Sequence, residues 1–252
     1  MSASNCLKDA VILVGGKGTR LHGVVLDRPK PIADVDGRPF VEWLLISLCL
    51  QEIHRVVLCT GYMGDIIESC LGNGSRFGLE LIYVRDPYPL GTGGALRYAL
   101  DHIHSDCLLV LNGDSYCRAN LGEFYGFHKS QHSQATILLT RVEDTARYGS
   151  VEVDTDGRVI AFREKASAEH SKWINAGVYL IERDIVELIP QKQAVSLEHE
   201  VFPSLIGRSL YAKVCKGLFW DIGTPESYEL SSQVLHSEFA DLEQLYKRKI
   251  KV

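Results

Sequence analysis

Short apolar runs alternate with amphipathic segments through the first 140 residues of the chain. Runs typical of buried strands occupy residues 10–14, 55–59, 79–84, 107–111 and 135–140. Segments with the helical spacing of apolar residues separate them, at 39–51, 64–70, 92–102 and 121–132. This repeated strand–helix order predicts an α/β fold with a mostly parallel sheet and helices on both of its faces.

The remainder of the chain has a different pattern. Two strand candidates, 148–153 and 159–164, flank Asp154-Thr155-Asp156-Gly157, which is typical of a hairpin turn. A further strand is predicted at 173–181, and helices are predicted near 185–188, 198–206 and 225–235. The segment 239–249 mixes apolar and charged residues and becomes basic at its end, as a last helical turn often does. No linker, low-complexity segment or internal repeat divides the chain, so we expect one domain.

The composition narrows the class of protein. The 252 residues, 46% of them hydrophobic, suit one large α/β domain or two small ones. The net charge of −5 argues against a nucleic-acid partner, because such proteins usually carry a basic face. No apolar run approaches the roughly 18 residues of a membrane span, and the start has no apolar signal-peptide region, so no membrane partner is expected.

The seven cysteines are scattered and form no Cys-x-x-Cys pair, and the nine histidines show no ligand spacing. The sequence spacing therefore suggests neither a zinc site nor a disulfide framework. Apolar neighbours of the cysteines fit reduced core thiols, so we expect a cytoplasmic protein.

A glycine-rich turn follows the first apolar run and carries the strongest chemical signal. In 15–20, Gly-Gly-Lys-Gly-Thr-Arg, the glycines let the backbone approach a ligand with its N–H groups facing it. Lys17, Arg20 and Lys30 add cations on both sides, which predicts binding of a polyanion such as a nucleoside triphosphate. The turn is not a Walker A loop, because no Gly-Lys-Ser/Thr ends it. Leu21 replaces the third glycine of the dinucleotide fingerprint, which disfavours a redox enzyme.

Two of these features lie at equivalent places in the predicted sheet. Gly15 and Gly16 follow one strand candidate, and Asp114 follows another in Asn112-Gly113-Asp114. Ligands of open α/β sheets bind at the carboxyl ends of the strands. We therefore expect the glycine turn and Asp114 to belong to one site.

A series of motifs in a fixed order gives the chain a resemblance to a known family. The motifs are GGKGTRL with the following PKP in 15–31, Gly61-Tyr62, LGTGGA at 90–95, NGD at 112–114, FREK at 162–165, NAGVY at 175–179 and WDIGTP at 220–225. Together, over about residues 10–235, they resemble the sugar-1-phosphate nucleotidyltransferases, the enzymes that make nucleotide sugars.

The resemblance implies a Rossmann-like fold of the GT-A kind, with a mixed, mostly parallel sheet flanked by helices. We expect a single nucleotidyltransferase domain over 1–252. In it, about 8–140 form a nucleotide-binding half, about 141–235 form a sugar-phosphate-binding half, and 236–252 form a C-terminal helix. No hexapeptide repeat follows the catalytic part, so the β-helix that some relatives carry is not expected.

The implied reaction is nucleotidyl transfer between two small-molecule substrates. An oxygen of a sugar 1-phosphate attacks the α-phosphorus of a nucleoside triphosphate, and pyrophosphate leaves. Because the nucleophile is already an anion, no strong general base is required. Positioning and cations supply most of the catalysis in related phosphoryl chemistry.

The resemblance assigns the catalytic roles to four residues. It implies that Arg20 grips the β- and γ-phosphates and that Lys30 lies beside the reacting centre. It also implies that Asp114 and Asp221 hold Mg²⁺, which prefers few carboxylates together with phosphate oxygens and water. Taken alone, Asp221 fits a helix cap equally well, since a helix is predicted directly after it. The role of Lys17 stays open.

The resemblance also implies two sets of binding residues. The nucleotide-binding set is Val14, Gly15, Gly16, Gly18, Thr19, Arg20, Gly91, Thr92, Gly93 and Gly113, with backbone groups near Gly91 to Gly93 reading the edge of the base. The sugar-phosphate-binding set is Gly149, Glu164, Lys165, Asn175 and Gly177. Without the resemblance, Glu164 and Lys165 would read as an exposed charged pair.

The motifs leave the substrates less well defined than the reaction. Tyr88 to Ala95 looks most like the D-glycero-α-D-manno-heptose 1-phosphate guanylyltransferases, which favours GTP, GDP-heptose as product and a role in capsule or surface glycans. Mannose-1-phosphate guanylyltransferases and UTP- or dTTP-dependent enzymes remain alternatives. A non-catalytic regulatory subunit is a further hypothesis, which the presence of Arg20, Lys30, Asp114, Lys165 and Asp221 disfavours. A homodimer is a candidate assembly, since dimers are usual in the resembled family.

Overall fold

The computed structural model describes residues 7–16, 28–142, 150–163 and 172–250. Strands in these ranges are β1 (Asp9–Leu13), β2 (Asp34–Val35), β3 (Arg38–Pro39), β4 (Arg55–Thr60), β5 (Glu80–Arg85), β6 (Cys107–Asn112), β7 (Ser115–Cys117), β8 (Ala135–Arg141), β9 (Ser150–Val153), β10 (Val159–Arg163), β11 (Trp173–Glu182), β12 (Leu210–Val214) and β13 (Phe219–Asp221). Helices are α1 (Phe40–Leu50), α2 (Gly64–Leu71), α3 (Gly91–Ala99), α4 (Leu121–Ser130), α5 (Arg183–Glu187), α6 (Phe202–Leu205) and α7 (Pro225–Lys249). A short π-helical segment, Leu197–Val201, leads into α6.

One mixed sheet forms the centre of the molecule. Its strands follow the order β10, β9, β11, β6, β1, β4 and β5, while β8 pairs with β11 and with β12. The strands β6, β1, β4 and β5 run parallel to one another. In contrast, β11 is antiparallel to both β6 and β8. This arrangement confirms the predicted mixed sheet, with its parallel strands next to the glycine turn.

Helices cover both faces of the sheet, as the strand–helix alternation predicts. In β1, Ala10 and Ile12 face one apolar cluster together with helices α1 and α7, while Val11 faces a second cluster together with α3. Because both faces are covered, such strands read as continuous apolar runs rather than as alternating ones.

Helix α1 is apolar around most of its circumference because it lies between the sheet and α7. Nine of its eleven residues are buried. The ring of Trp43 stacks on that of Phe239 in α7, with the ring centroids 4.2 Å apart. The end of the chain thus packs against its first helix.

Some predicted boundaries differ from the observed ones. A single helix, α7, runs from Pro225 to Lys249, so the predicted division at residue 236 falls inside it. Strand β12 and the ribbon of β7 with β13 had no predicted counterpart. The predicted hairpin is confirmed: β9 and β10 pair antiparallel, and Asp154 Oδ1 accepts hydrogen bonds from the N–H groups of Asp156 and Arg158. In the described ranges, no helix combines the length and apolarity that a membrane crossing requires.

Candidate nucleotide and phosphate site

A cavity of about 810 Å³ opens at the carboxyl ends of the parallel strands. Seven of the predicted site residues line it: Val14, Gly15, Gly16, Lys30, Gly91, Thr92 and Asp114. Leu13 at the end of β1 lies opposite Asn112 at the end of β6, which brings the glycine turn next to Asp114. The expectation that the two strand ends form one site is therefore met.

Lys30 and Asp114 form an ion pair at the floor of this cavity. Lys30 Nζ donates to Asp114 Oδ2 at 2.6 Å, and the lysine side chain is only 9% exposed, against 43% for the aspartate. Proline precedes and follows Lys30, and residues Lys30–Ile32 form one 3₁₀ turn. The fixed backbone of this turn holds the ammonium group at the carboxyl end of the sheet.

The ribbon of β7 and β13 brings Asp221 to the same place. Ser115 pairs with Asp221 across the ribbon, and the N–H of Ile222 donates to the carbonyl of Asp114 at 3.0 Å. A Cβ atom on Gly223 would lie 2.4 Å from Asp221 Oδ1 and 3.5 Å from Lys30 Nζ. Gly223 thus lies next to both Asp221 and Lys30, which brings the Asp221 carboxylate near the Lys30–Asp114 pair.

Asp221 is not the cap of the helix that follows it. The cap of α7 is Thr224, whose hydroxyl accepts from the N–H of Ser227 in a capping box. Asp221 Oδ1 instead accepts from the N–H of Gly223 at 2.7 Å. This bond holds the carboxylate against Gly223, which lines the cavity, and removes the alternative interpretation of Asp221 as a helix cap.

The turn at the start of α3 packs on a later segment of the chain. Gly91 has a φ of +70°, and a Cβ atom there would lie 2.5 Å from the carbonyl oxygen of Val195. The N–H of Gly93 donates to that carbonyl at 2.9 Å, and Gly93 is buried. The N–H of Gly93 is thus used in packing on Val195, and a nucleotide-binding role of Gly93 stays a prediction.

Gly113 also has a structural role. Its N–H donates to the carbonyl of Leu13 at 3.0 Å, which joins the ends of β6 and β1. A Cβ atom there would lie 2.5 Å from Val14. Gly113 thus allows the two strand ends to approach each other, and it is not part of the cavity lining.

A partly buried hydrogen-bond network links the turn at the start of α3 to the second half of the chain. Thr92 Oγ1 donates to Glu198 Oε2 at 2.7 Å, and the hydroxyl of Tyr179 donates to Glu198 Oε1 at 3.2 Å. Asn175 Nδ2 donates to the Tyr179 hydroxyl at 2.8 Å, and Asn175 Oδ1 accepts from the N–H of Gly177. Glu198 was missed at the sequence level, because its partners are remote in the chain.

Gly177 sits where the backbone passes close to β6 and β7. Its φ is +72°, and a Cβ atom there would lie 2.7 Å from Ser115 Oγ and 3.1 Å from Asn112. The pairing of β11 with β8 is irregular between Asn175 and Tyr179. Gly177 therefore lies beside the residues that flank Asp114 on either side of its turn, and the predicted sugar-phosphate role of Asn175 and Gly177 stays a prediction.

Asp86 is a lining residue that the sequence analysis did not single out. It follows β5 directly, at the same sheet edge as Gly15 and Asp114. Its Oδ1 is buried and has no hydrogen-bond partner in the described part of the chain. Desolvation by burial raises the pKa of this carboxyl to about 6. Its position after a strand was the available signal, the same one that identified Asp114.

The remaining predicted site residues lie outside the described residues. They are Lys17, Gly18, Thr19, Arg20, Gly149, Glu164 and Lys165. The roles assigned to them stay predictions.

Comparison with known proteins decides the family. The family model for nucleotidyl transferases matches residues 9–238. The chain belongs to the nucleotidyl transferase family. Among curated relatives of this family, a mannose-1-phosphate guanylyltransferase of Mycobacterium tuberculosis is 40% identical over 87% of this chain and 62% of its own. The chain therefore spans less than two thirds of that relative's length.

Two further comparisons within the nucleotidyl transferase family cover the other protein almost completely. A D-glycero-alpha-D-manno-heptose 1-phosphate guanylyltransferase of Aneurinibacillus thermoaerophilus is 34% identical over 90% of this chain and 98% of its own. The crystal structure of HddC from Yersinia pseudotuberculosis superposes with a TM-score of 0.81 at 34% identity, over 91% of this chain and all of HddC. HddC has also been solved in complex with GMP-PN. These comparisons confirm the predicted family and fold.

Proposed function

We propose that this chain catalyses guanylyl transfer from GTP to a sugar 1-phosphate, with release of pyrophosphate. The observation that carries the proposal is the cavity that joins the glycine turn to the Lys30–Asp114 ion pair. Asp221 pairs with Ser115, the residue that follows Asp114. The family, the guanylyltransferase relatives and the HddC structure with GMP-PN support the same reaction.

In this reaction Lys30 acts by its charge. Its ammonium group is nearly excluded from solvent and is held in one position by Asp114. A fixed cation in a site of low dielectric stabilises the negative charge that builds on the α-phosphate more strongly than a mobile surface lysine would. The sugar phosphate already carries the attacking negative charge, so the chain needs to supply position and charge rather than a base.

Asp86 supports guanine as the base. Guanine presents two neighbouring donors, the N1–H and the N2 amino group, and an ionised carboxylate is an acceptor with two oxygens. Because the terminal torsion of an aspartate is broad, rotation of the carboxylate can turn either oxygen toward the cavity. A guanine edge would supply hydrogen bonds to Oδ1, which has no partner among the described residues.

The same site fits a magnesium ion, which we propose as the cofactor. Asp114 directly precedes β7 and Asp221 ends the paired strand β13, so each can supply a carboxylate oxygen. Mg²⁺ typically takes one or two carboxylates plus substrate phosphates. The ion would add positive charge against the phosphate oxygens of both substrates. Lys30 already balances one of the two carboxylate charges.

A matched pair of variants tests the metal assignment. Asp221→Asn is expected to reduce turnover at least about 100-fold, because one carboxylate no longer binds the ion. Asp241→Asn, the same substitution at an exposed position of α7, is expected to leave turnover unchanged. Pyrophosphate release is measured with Mg²⁺ and with a chelator. Near-normal turnover of Asp221→Asn, or undiminished turnover in the chelator, would rule out this site.

For the sugar, we propose D-glycero-α-D-manno-heptose 1-phosphate, which the end-to-end match to the Aneurinibacillus enzyme supports. Mannose 1-phosphate is the second candidate, since the Mycobacterium relative has the higher identity of 40%. The product would then feed capsule or surface-glycan synthesis. A cytoplasmic location and a homodimer stay predictions, to be measured by cell fractionation and light scattering.

The deciding experiment is a substrate matrix. Pyrophosphate release is measured for GTP, UTP, dTTP, CTP and ATP, each with heptose, mannose, glucose and N-acetylmuramate 1-phosphates. Turnover of GTP with the heptose is the expected result. Turnover of GTP with mannose alone would retain the mechanism and replace the sugar. Preference for another nucleotide would contradict the role given to Asp86, and no turnover with any pair would favour a regulatory subunit.

A further inference from the structure

A second cluster of polar side chains lies at the other end of strand β6, away from the nucleotide cavity. Cys107 begins β6, whose other end carries the Asp114 turn, and it pairs with Glu182 at the end of β11. His128 comes from α4, which packs on this part of the sheet. Cys107 and His128 are buried, with relative exposures of 5% and 0%. The Sγ atom, an imidazole nitrogen and a carboxylate oxygen of the three side chains lie within 4.8 Å of one another.

The hydrogen bonds around His128 determine which ring nitrogen holds its proton. Ser133 Oγ donates to the carbonyl of Ala135, and Thr136 Oγ1 donates to Ser133 Oγ. The hydroxyl proton of Thr136 is thus used, so its oxygen accepts from His128 Nδ1–H at 2.7 Å. In a neutral imidazole the other nitrogen, Nε2, then carries a lone pair.

That lone pair faces another acceptor. His128 Nε2 lies 2.9 Å from Glu182 Oε1, a carboxylate oxygen. Two acceptors at this distance repel each other unless a cation or a proton lies between them. Burial lowers the pKa of the imidazole, which works against a proton there. The Sγ atom of Cys107 lies within 4.8 Å of both groups and adds a third potential metal ligand.

We propose that Cys107, His128 and Glu182 form a binding site for a divalent cation of the zinc type. Thiolate sulfur, imidazole nitrogen and carboxylate oxygen are the ligands that Zn²⁺ takes, with water in a fourth position. A thiolate and a carboxylate together balance the two positive charges. Zn–S and Zn–N bonds of about 2.3 and 2.0 Å place tetrahedral ligand atoms about 3.5 Å apart. The widest separation in the cluster, at most 4.8 Å, would therefore have to shorten, and the 2.9 Å between His128 and Glu182 would have to widen slightly.

Lys129 is the charged group that competes with the cation. Its Nζ contacts Glu182 Oε1 at 2.5 Å, while 45% of its side chain is exposed. The long, flexible lysine can move into solvent when a cation takes the carboxylate. Removing this ammonium group should therefore strengthen binding of a metal ion, whereas it would weaken a purely hydrogen-bonded cluster.

The bound ion would join three elements of the fold. It would connect the start of β6, the end of β11 and α4 at the sheet edge remote from the nucleotide cavity. A ligand that binds only the folded state raises its stability. The expected effect is a higher melting temperature, with no requirement for catalysis.

The test uses the full chain, stripped with a chelator, and Zn²⁺ alone as the probe. Calorimetry is expected to show one bound Zn²⁺ per chain with release of about one proton, since the thiol must ionise. Co²⁺ is expected to give a thiolate-to-metal charge-transfer band. Cys107→Ser should remove the band. It should weaken Zn²⁺ binding by more than about 100-fold, because loss of a residue that only supports a metal ligand already costs up to that much. Glu182→Gln should weaken it too, and Lys129→Gln should tighten it.

Two cysteine variants serve as controls. Cys49→Ser alters a thiol as buried as Cys107 in another part of the core, and Cys215→Ser removes a thiol that lies against Cys117. Both should keep the band and the affinity. No saturable binding by the unaltered chain, binding retained by Cys107→Ser, or binding lost with Cys215→Ser would overturn the proposal. None of these measurements uses turnover, so they are independent of the proposed guanylyl transfer.

Discussion

Two charged residues of the cavity have different surroundings, one with a counter-charge and one without. Lys30 is nearly buried, but Asp114 provides a counter-charge at 2.6 Å. Asp86 lines the cavity, and one of its carboxylate oxygens has no partner in the part of the chain that the structure describes. Desolvation raises the pKa of its carboxyl to about 6. A group whose pKa is perturbed in this way in a cleft is a candidate for a functional role. In this chain the role that fits is recognition of the base.

The substitution Asp86→Asn tests that role. An amide offers guanine one acceptor instead of two, so kcat/KM for GTP is expected to fall by about 10- to 100-fold, with a smaller change for other nucleotides. Asp65→Asn, an exposed aspartate on α2, is the matched control and should change nothing. Equal kcat/KM for GTP in the variant and the unaltered chain would contradict the assignment.

The same residue predicts a pH dependence. Asp86 is ionised above its pKa of about 6, so preference for GTP is expected at pH 7–8 and should decline as the pH falls through 6.

The raised pKa of Asp86 also predicts an effect on stability. The folded state binds this proton more tightly than the unfolded chain, so the ionisation of Asp86 lowers the free energy of unfolding as the pH rises from about 4 to 6. Urea unfolding at pH 8 should therefore show Asp86→Asn to be at least as stable as the unaltered chain.

Single elements position the site by where they begin and end. Helix α7 begins at Pro225, shortly after Asp221 and Gly223, and the capping box formed by Thr224 and Ser227 stabilises its first turn. In the ribbon of β7 and β13, the pairing of Ser115 with Asp221 sets the distance between the two metal-ligand candidates. A change at the start of α7 therefore acts on both the helix and the end of the ribbon.

Removing the cap of α7 is expected to have a modest cost. Thr224→Ala deletes the hydroxyl that accepts from Ser227 N–H, and such changes lower the free energy of unfolding by about 1 kcal/mol. Thr224→Ser keeps the hydroxyl and is expected to stay within about 0.5 kcal/mol of the unaltered chain. The free energy of unfolding is measured by urea denaturation of the unaltered chain and of both variants. Equal losses of stability for Thr224→Ala and Thr224→Ser would show that the methyl group of Thr224, and not its hydroxyl, provides the stability.

The stability of the whole domain depends on contacts of its last helix, α7, with α1 and β7. Phe239 in α7 is fully buried, stacks on Trp43 of α1 and meets the ring of Tyr116 of β7 edge-on, with centroids 5.3 Å apart. The hydroxyl of Tyr116 donates to Glu238, which also pairs with Arg118. The helix that closes the chain thus packs against both the first helix and the strand that follows Asp114.

Phe239→Ala is therefore expected to destabilise the entire domain. Loss of a buried phenylalanine lowers the free energy of unfolding by about 3–5 kcal/mol, through lost burial and the cavity left behind. Phe239→Leu retains most of the volume and is expected to cost less than half as much. Both are measured by urea unfolding with tryptophan fluorescence. A loss below about 1 kcal/mol for the alanine variant would show that α7 is only loosely attached.

The sequence by itself determined the features that local pattern encodes. The apolar runs predicted β1, β4, β5, β6 and β8, and the motif order identified the family before any geometry was known. Strand ends also indicated that the glycine turn and Asp114 share an edge, since parallel strands place their carboxyl ends together. These predictions were confirmed because they depend on periodicity and on short motifs.

Only the tertiary structure decided which remote residues meet. Glu198 joins Thr92 to Tyr179, and the N–H of Gly93 donates to the carbonyl of Val195. Within the described ranges, a buried oxygen of Asp86 has no partner. Cysteine spacing along the chain suggested no metal site, yet folding brings Cys107 within reach of His128 and Glu182. Hydrogen bonding and desolvation act between atoms in space, so residues far apart in the chain acquire these roles only when the sheet assembles.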